Sequence, residues 1–195
     1  VSGAVHIKGE KHTAEKIRIN IIDPQGKKIA STDIPVDNDE ISFKLQTKGS
    51  VNGWSELHPE LYTLEAALIG EKGKQLNAVS GSFGFRNIDK GNGHIVLNGE
   101  KIFLRGTLEC SIFPLTGHPP MEKEEWKEIL LKARNYGLNH LRFHSWCPPE
   151  AAFAAADELG FYLQAELPNW SLTYGEDEDV VEFLEAEADR IMREY

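Results

Sequence analysis

Through its first 86 residues the chain alternates apolar and polar positions. In KIRINII (16–22), Ile17, Ile19 and Ile21 fall on one side of an extended chain, and Arg18 and Asn20 fall on the other. The same two-residue period runs through AVHIKGE, KKIASTDI, ISFKL, LYTLEAALIG and LNAVSGSFGFR. Turn-forming pieces, DPQGK, DNDE and GEKGK, separate these runs. Short strands with a turn roughly every 8–12 residues predict an all-β sandwich of immunoglobulin-like type over residues 1–88.

From residue 89 the period lengthens. NIDKGNG (87–93) reads as a Gly-rich boundary, and HIVLNGEKIFLRG follows it. Asn98-Gly99 between two apolar runs predicts a hairpin, because both residues accept the positive φ of a type I′ turn. In EKEEWKEILLKARNYG, Trp126, Ile129, Leu130 and Ala133 share one helical face, and Gly137 is placed to cap the end. LNHLRFH is then a strand. PPEAAFAAADELG is a helix, with Pro149 suited to its first turn and Gly160 to its end. FYLQAEL is a strand, and DEDVVEFLEAEADRIMREY is a helix with Val181, Leu184, Ala188 and Ile191 along one stripe. The order β-α-β-α-β-α predicts a parallel sheet with right-handed crossovers. A full (β/α)8 TIM barrel takes about 250 residues. Residues 89–195 hold three repeats, so the pattern predicts either the first three β/α units of such a barrel or an open three-layer sheet completed by another chain. Three parallel strands alone leave two edges and one face uncovered.

Composition narrows the partners. The 195 residues are 41% hydrophobic and 27% charged, ordinary for one large globular domain or two small ones. No run approaches the roughly 20 apolar residues that cross a bilayer, so no membrane partner is expected. The opening VSGAVHIKGEK shows no basic region followed by an apolar core, as a signal peptide would. Residues 1–88 carry 11 basic and 11 acidic side chains, and residues 89–195 carry 10 and 20, which places the whole net charge of −10 in the second part. An acidic half repels phosphate backbones, so no nucleic acid is expected either. The acid in EKEEWKE and GEDEDVVEFLEAEAD reads as solvated helix faces and helix N-termini. Cys110 and Cys147 make neither a disulfide framework nor a CxxC pair; two apolar buried thiols are expected, in preference to a disulfide or a Cys/His metal pair with His144. His6, His12 and His58 stand isolated, and His118 in GHPPM either lines a loop cleft or faces solvent.

Several stretches together resemble a known family. They are W-x(4)-P-x-L-Y-x-L at Trp54–Leu64, GFR at Gly84–Arg86, VLNGEKIFLRG at Val96–Gly106, GLNHLRFHSWCPPEAAFAAADELGFYLQAELP, and the closing ADRIMREY. They are similar to glycoside hydrolase family 2, the family of β-galactosidases, β-glucuronidases and β-mannosidases. The resemblance implies a jelly-roll domain, an immunoglobulin-like domain and a catalytic (β/α)8 barrel, of which this chain would supply the second domain (1–88) and the first third of the barrel (89–195). It also implies that the acid/base glutamate follows the fourth barrel strand in an Asn-Glu pair and that the nucleophile ends the seventh. Both would lie beyond Tyr195, so no catalytic residue is expected in this chain. A retaining enzyme needs those two carboxyls roughly 5–5.5 Å apart. Glu109 and Glu166, expected at the ends of the first and third strands, could converge as a local substitute, but an incomplete barrel would neither exclude water nor hold them in place.

The resemblance further implies a set of substrate-binding residues. Arg142 matches the family arginine of an R-x-S-H motif, which here reads Arg142-Phe143-His144-Ser145 with the last two types exchanged. Its plain alternative is an arginine paired to a carboxylate for structure. His144 is expected to point the same way as Arg142, as a substrate contact or a satisfied core histidine. After the first strand the family commonly has G-x-N-x-H, and this sequence has Leu108 and Cys110 at the last two motif positions. Glu109 between them could accept from sugar hydroxyls or sit on a solvated rim. Glu166 occupies an acidic family position that binds sugar hydroxyls or a metal. The LPNW after it lacks the further glutamate and histidine of metal-binding members, so neither metal nor cofactor is expected. Asn169 and Trp170 lie on the next loop. Trp146 and Trp170 could stack on a sugar ring or pack between loops.

Two readings follow. The chain is a segment of a retaining glycosidase acting on β-linked sugars, with β-galactosidase the first choice by family frequency, and is inactive alone. The alternative is a non-catalytic carbohydrate-binding or interaction module using the Arg142, Trp146 and Trp170 surface. The first reading implies a carbohydrate substrate and the remainder of the same polypeptide as partners, leaves a homo-oligomer open, and leans toward a periplasmic or secreted setting without fixing the compartment.

Overall fold

The computed structural model describes residues 1–8, 13–173 and 175–195. His12, and Gly9 and Glu10 of the first expected strand, lie outside the described residues. The chain divides into two compact units, Val1–Trp54 with Glu60–Asn87, and Ser55–Pro59 with Ile88–Tyr195. Strands predominate and helices are few.

The first unit holds six strands: β1 (Ser2–His6), β2 (Ala14–Ile22), β3 (Lys28–Pro35), β4 (Glu40–Lys44), β5 (Tyr62–Gly70) and β6 (Gln75–Phe83). Four form an antiparallel sheet in the order β3-β2-β5-β6, and β1 pairs with β4 in a second, two-stranded sheet. The period-2 pattern explains the core. Ile17, Ile19 and Ile21 are almost fully buried and cluster with Ile41, Phe43 and Tyr62. On the opposite side of β2, Arg18 donates to both oxygens of Asp33 at 2.7 and 2.9 Å. Asn20 shares that polar side yet is buried, because its neighbours on the sheet surface close over it. Its amide donates to Glu65 Oε1 at 2.9 Å, and its carbonyl accepts from Ser31 Oγ at 2.7 Å. At the edge, Val79 lies opposite Ala66 on the inward side of β6 and is still 62% exposed.

The second unit opens with an antiparallel meander, β7 (Ile88–Lys90), β8 (Ile95–Leu97) and β9 (Glu100–Lys101). The Gly-rich boundary at 87–93 falls where the two units divide, and its first residues form a strand rather than a loop. Its glycines make a turn instead: Gly91 N donates to His94 O at 2.9 Å, and Gly93 has φ +76°. The Asn98-Gly99 hairpin forms as expected, with φ of +52° and +88° and Leu97 paired to Glu100.

Three parallel strands follow in the order β10 (Gly106–Glu109), β11 (His140–Phe143) and β12 (Tyr162–Gln164), linked by helices α1 (Lys123–Asn135) and α2 (Glu150–Leu159). One side of this sheet packs Leu141 and Phe143 against Trp126 and Leu130 of α1 and the alanine face of α2, Ala152, Ala155 and Ala156. Helix α1 ends in a Schellman motif: Gly137 N donates to Arg134 O at 2.8 Å and Leu138 N to Ala133 O at 3.2 Å, with Gly137 at φ +80°. Pro149 caps α2 from just outside rather than sitting inside its first turn. Asn139, missed in the sequence, is a buried staple. Its amide donates to Phe103 O at 3.0 Å and to the Glu56 carboxylate, and its oxygen accepts from Arg105 N at 2.7 Å. Helix α3 (Glu178–Glu194) is capped by Asp177, whose carboxylate accepts from Asp179 N and Val180 N. It buries Leu184 on the expected stripe, and Tyr195 beyond its end stacks on Phe153 at 4.1 Å. Among the described residues no helix is long and apolar enough to cross a membrane.

Candidate functional site

The polar residues gather where β11 and β12 end. Pairing sets which side chains share a face of the parallel sheet: Leu108, Arg142 and Gln164 lie level with one another, and Glu109 lies level with Phe143. Phe143 is fully buried on the helix side. The other face therefore presents Leu108, Arg142 and Gln164, and Leu108 is 49% exposed there.

Glu166, two residues past β12, is the hub of this face. It forms an ion pair with Arg142 Nε and accepts the Ser145 backbone N–H at 2.8 Å. Gln164 Nε2 donates to it at 3.3 Å, and His144 Nδ1 stands 3.5 Å from its second oxygen. The Arg142 hydrogen bond, then the Ser145 N–H, hold the Glu166 carboxyl down at about 2, from its ordinary value of 4.5. The same pairing raises the pKa of Arg142. Ser145 takes φ +62°, a left-handed conformation costly for a residue with a Cβ, and this aims its N–H at the carboxylate. The arrangement is a fixed anion–cation pair, with the Arg142 side chain still 44% exposed.

Arg142, His144 and Glu166 are thus brought together, the first two on one side as their alternation predicts. Glu109 is not part of the cluster. Its carboxylate turns back to accept the Ser111 N–H at 2.9 and 3.0 Å, capping its own loop. Asn169 likewise accepts from Ser171 N at 2.9 Å. The two tryptophans part company. Trp146 packs edge-on against Phe143 at 5.2 Å and joins the helix-side core, whereas Trp170 is 84% exposed and meets the His144 ring edge-on at 5.6 Å. Gln164 and the Ser145 N–H were missed in the sequence; the strand alternation that singled out Arg142 would have reached Gln164, but nothing local announces a positive φ at serine. Both thiols are free, and neither is the buried residue expected: Cys110 is exposed and Cys147 half-buried. Cys110 follows an edge strand on the uncovered face. Burial pushes the Cys147 thiol up. Among the described residues, no group of three or more His, Cys, Asp and Glu could hold a metal ion.

Residues 1–86 match the family model described as glycosyl hydrolases family 2. The remainder is reached by individual relatives. A putative beta-glucuronidase from Formosa agariphila is 30% identical over 154 residues, which are 78% of this chain and 18% of that protein. A glycosyl hydrolase family 2 member from Bacteroides cellulosilyticus covers 95% of the chain at TM-score 0.72 and 21% identity.

The chain belongs to glycosyl hydrolases family 2.

It is also 26% identical over 173 residues to a beta-galactosidase from Thermoanaerobacter pseudethanolicus, covering 87% of this chain and 23% of that protein. The chain spans about a fifth of the length of these curated relatives.

Proposed function

We propose that this family 2 chain is a segment of a retaining glycosidase for β-linked sugars, contributing an immunoglobulin-like sandwich (1–88) and the first three units of a (β/α)8 barrel (89–195). The observation that carries this reading is the Arg142–Glu166 pair, fixed on the uncovered face at the C-terminal ends of parallel strands, where barrel enzymes assemble their sites. In this reading Arg142, His144 and the exposed ring of Trp170 line a sugar subsite, with Asn169 and Glu109 on its rim and Trp146 behind it. Glu166 is committed to Arg142 and held ionised, so it cannot be the acid of the hydrolytic pair, and Glu109 lies level with the helix-side row. The carboxylate pair therefore comes from outside these residues, and the 195-residue chain alone is inert.

The relatives named beta-glucuronidase and beta-galactosidase make those two glycosides the first to test. The experiment is hydrolysis of nitrophenyl β-glycosides by the full polypeptide from the gene and by the isolated chain. Turnover by the former, lost in Arg142→Ala and absent in the latter, is the expected outcome. Turnover by the isolated chain that Glu166→Gln abolishes would sink the reading, as would an inert full polypeptide that binds sugar.

A further inference from the structure

We propose that Asn92 is a site of spontaneous deamidation, in which the His94 imidazole stabilises the Asn92-Gly93 peptide as it loses its proton. A glycine after asparagine leaves the next backbone nitrogen unshielded, so that it can reach the side-chain carbonyl carbon within the same chain. The sequence holds three such pairs, Asn52-Gly53, Asn92-Gly93 and Asn98-Gly99. The structure makes them unequal. The Asn52 amide donates to Glu60 Oε2 at 2.9 Å, and its backbone N–H donates to Tyr62 Oη at 3.0 Å, so cyclisation there breaks a hydrogen bond to a carboxylate. Asn98 and Gly99 have φ of +52° and +88° in a two-residue turn closed by the Leu97–Glu100 pair, and cyclisation would carry the backbone out of the conformation that this hairpin requires.

Asn92 carries neither restraint. It is exposed and does not share the positive φ of Asn98. Among the described residues neither its side-chain amide nor the Gly93 N–H has a hydrogen-bond partner. A Cβ at Gly93 would meet nothing within 4 Å, so solvent reaches the attacking nitrogen.

His94 supplies the second feature. Its Nδ1 lies 3.0 Å from Asn92 O. A carbonyl oxygen only accepts, so the proton of this bond sits on Nδ1. That oxygen belongs to the Asn92-Gly93 peptide, and it takes up the negative charge when the Gly93 N–H ionises. The ring is seated by Gly91: a Cβ there would fall 2.7 Å from His94 Nε2 and 3.0 Å from Val96 Cγ2. The step balances with water as the only co-reactant. Hydroxide takes the Gly93 proton, the nitrogen bonds to Asn92 Cγ, and Nδ2 leaves as ammonia with a proton returned by water. Water then opens the cyclic imide at either carbonyl, giving aspartate or its β-linked isomer. Each product adds one negative charge to the net −10, and the isomer inserts an extra carbon into the backbone between β7 and β8.

The test is incubation of the folded 195-residue chain at mildly alkaline pH, followed by tryptic mapping with fragment ions, since the peptide 91–101 holds both Asn92 and Asn98. The amide-to-acid mass gain and the β-linked isomer are expected first at Asn92, ahead of Asn98 and Asn52. His94→Ala should slow the reaction at Asn92 about fivefold, the worth of one ordinary hydrogen bond to charge that develops in the transition state. Gly91→Ala keeps the imidazole but moves it off the carbonyl, and it should slow the reaction comparably. In guanidinium chloride the three sites should react at similar rates, because all are Asn-Gly. Fastest loss at Asn52 or Asn98, a rate at Asn92 that either substitution leaves unchanged, or an order of sites that survives denaturation would overturn the proposal.

Discussion

Glu166 shows how one side chain organises a site whose members come from two neighbouring strands. Its carboxylate satisfies a guanidinium and a strained backbone N–H at once, and its pKa of about 2 lies below the usual 4.5. A depressed carboxylate pKa stabilises the folded state above the unfolded value, and that contribution fades as pH falls from about 4.5 through about 2. The stability difference between wild type and Glu166→Gln should therefore be constant above about pH 5 and shrink toward zero near pH 2. Urea midpoints measured over that range check this, and a difference independent of pH would show that the charge is not what matters. At this scale the sequence was partly legible. Alternation on a strand put Arg142 and His144 on one side without any structure. Glu109 came instead from its place in a motif after the first strand, and parallel register sets it beside Phe143 and leaves Leu108 beside Arg142. Register between distant strands is not written in either strand.

At the level of elements, ends were read better than extents. Gly137, Gly160 and the Asn98-Gly99 turn all take the positive φ that their residue types suggested. Each is a local demand of the backbone, so a local sequence can announce it. Gly160 carries a second constraint that no local reading gives. A Cβ there would come within 2.8–2.9 Å of Glu56 O, Glu56 Cα and Ser55 O, on top of φ +68°. Gly160→Ala should thus cost about 2 kcal/mol or more, beyond the roughly 1 kcal/mol of a left-handed alanine alone. Gly137→Ala, with nothing within 4 Å of its Cβ, is the matched control. Equal losses in thermal melts of the two variants would show that close approach adds nothing. The NIDKGNG stretch marks the boundary between the units, yet nothing local announces the strand Ile88–Lys90 inside it. Glycine and asparagine mark turns and linkers alike, and only the partner strand Ile95–Leu97 decides between them.

For the whole molecule, the change of period near residue 88 set the six-stranded first unit apart from the stretch that opens with the antiparallel β7–β9 meander and goes on to the parallel, helix-connected strands. What it could not reveal is that five earlier residues, Ser55–Pro59, belong with the second unit. They contribute Glu56, which receives the Asn139 amide and lies 3.5 Å from Arg105, and the backbone that closes over Gly160. Nothing in the alternation there distinguishes a loop of the first unit from a part of the second. A chain beginning at Ile88 should accordingly be less stable than one in which Ser55–Pro59 is present, and Glu56→Ala in the full chain should reproduce part of the loss; comparable denaturation midpoints for all three would refute the dependence. The arrangement bears on how such a protein is inherited. A gene broken once between the two units hands the recipient a second unit without its own five-residue brace, so exchange between relatives by a single crossover is penalised. The two units should travel through evolution as a linked pair, with Glu56 drifting in step with Asn139 rather than with its neighbours in the chain.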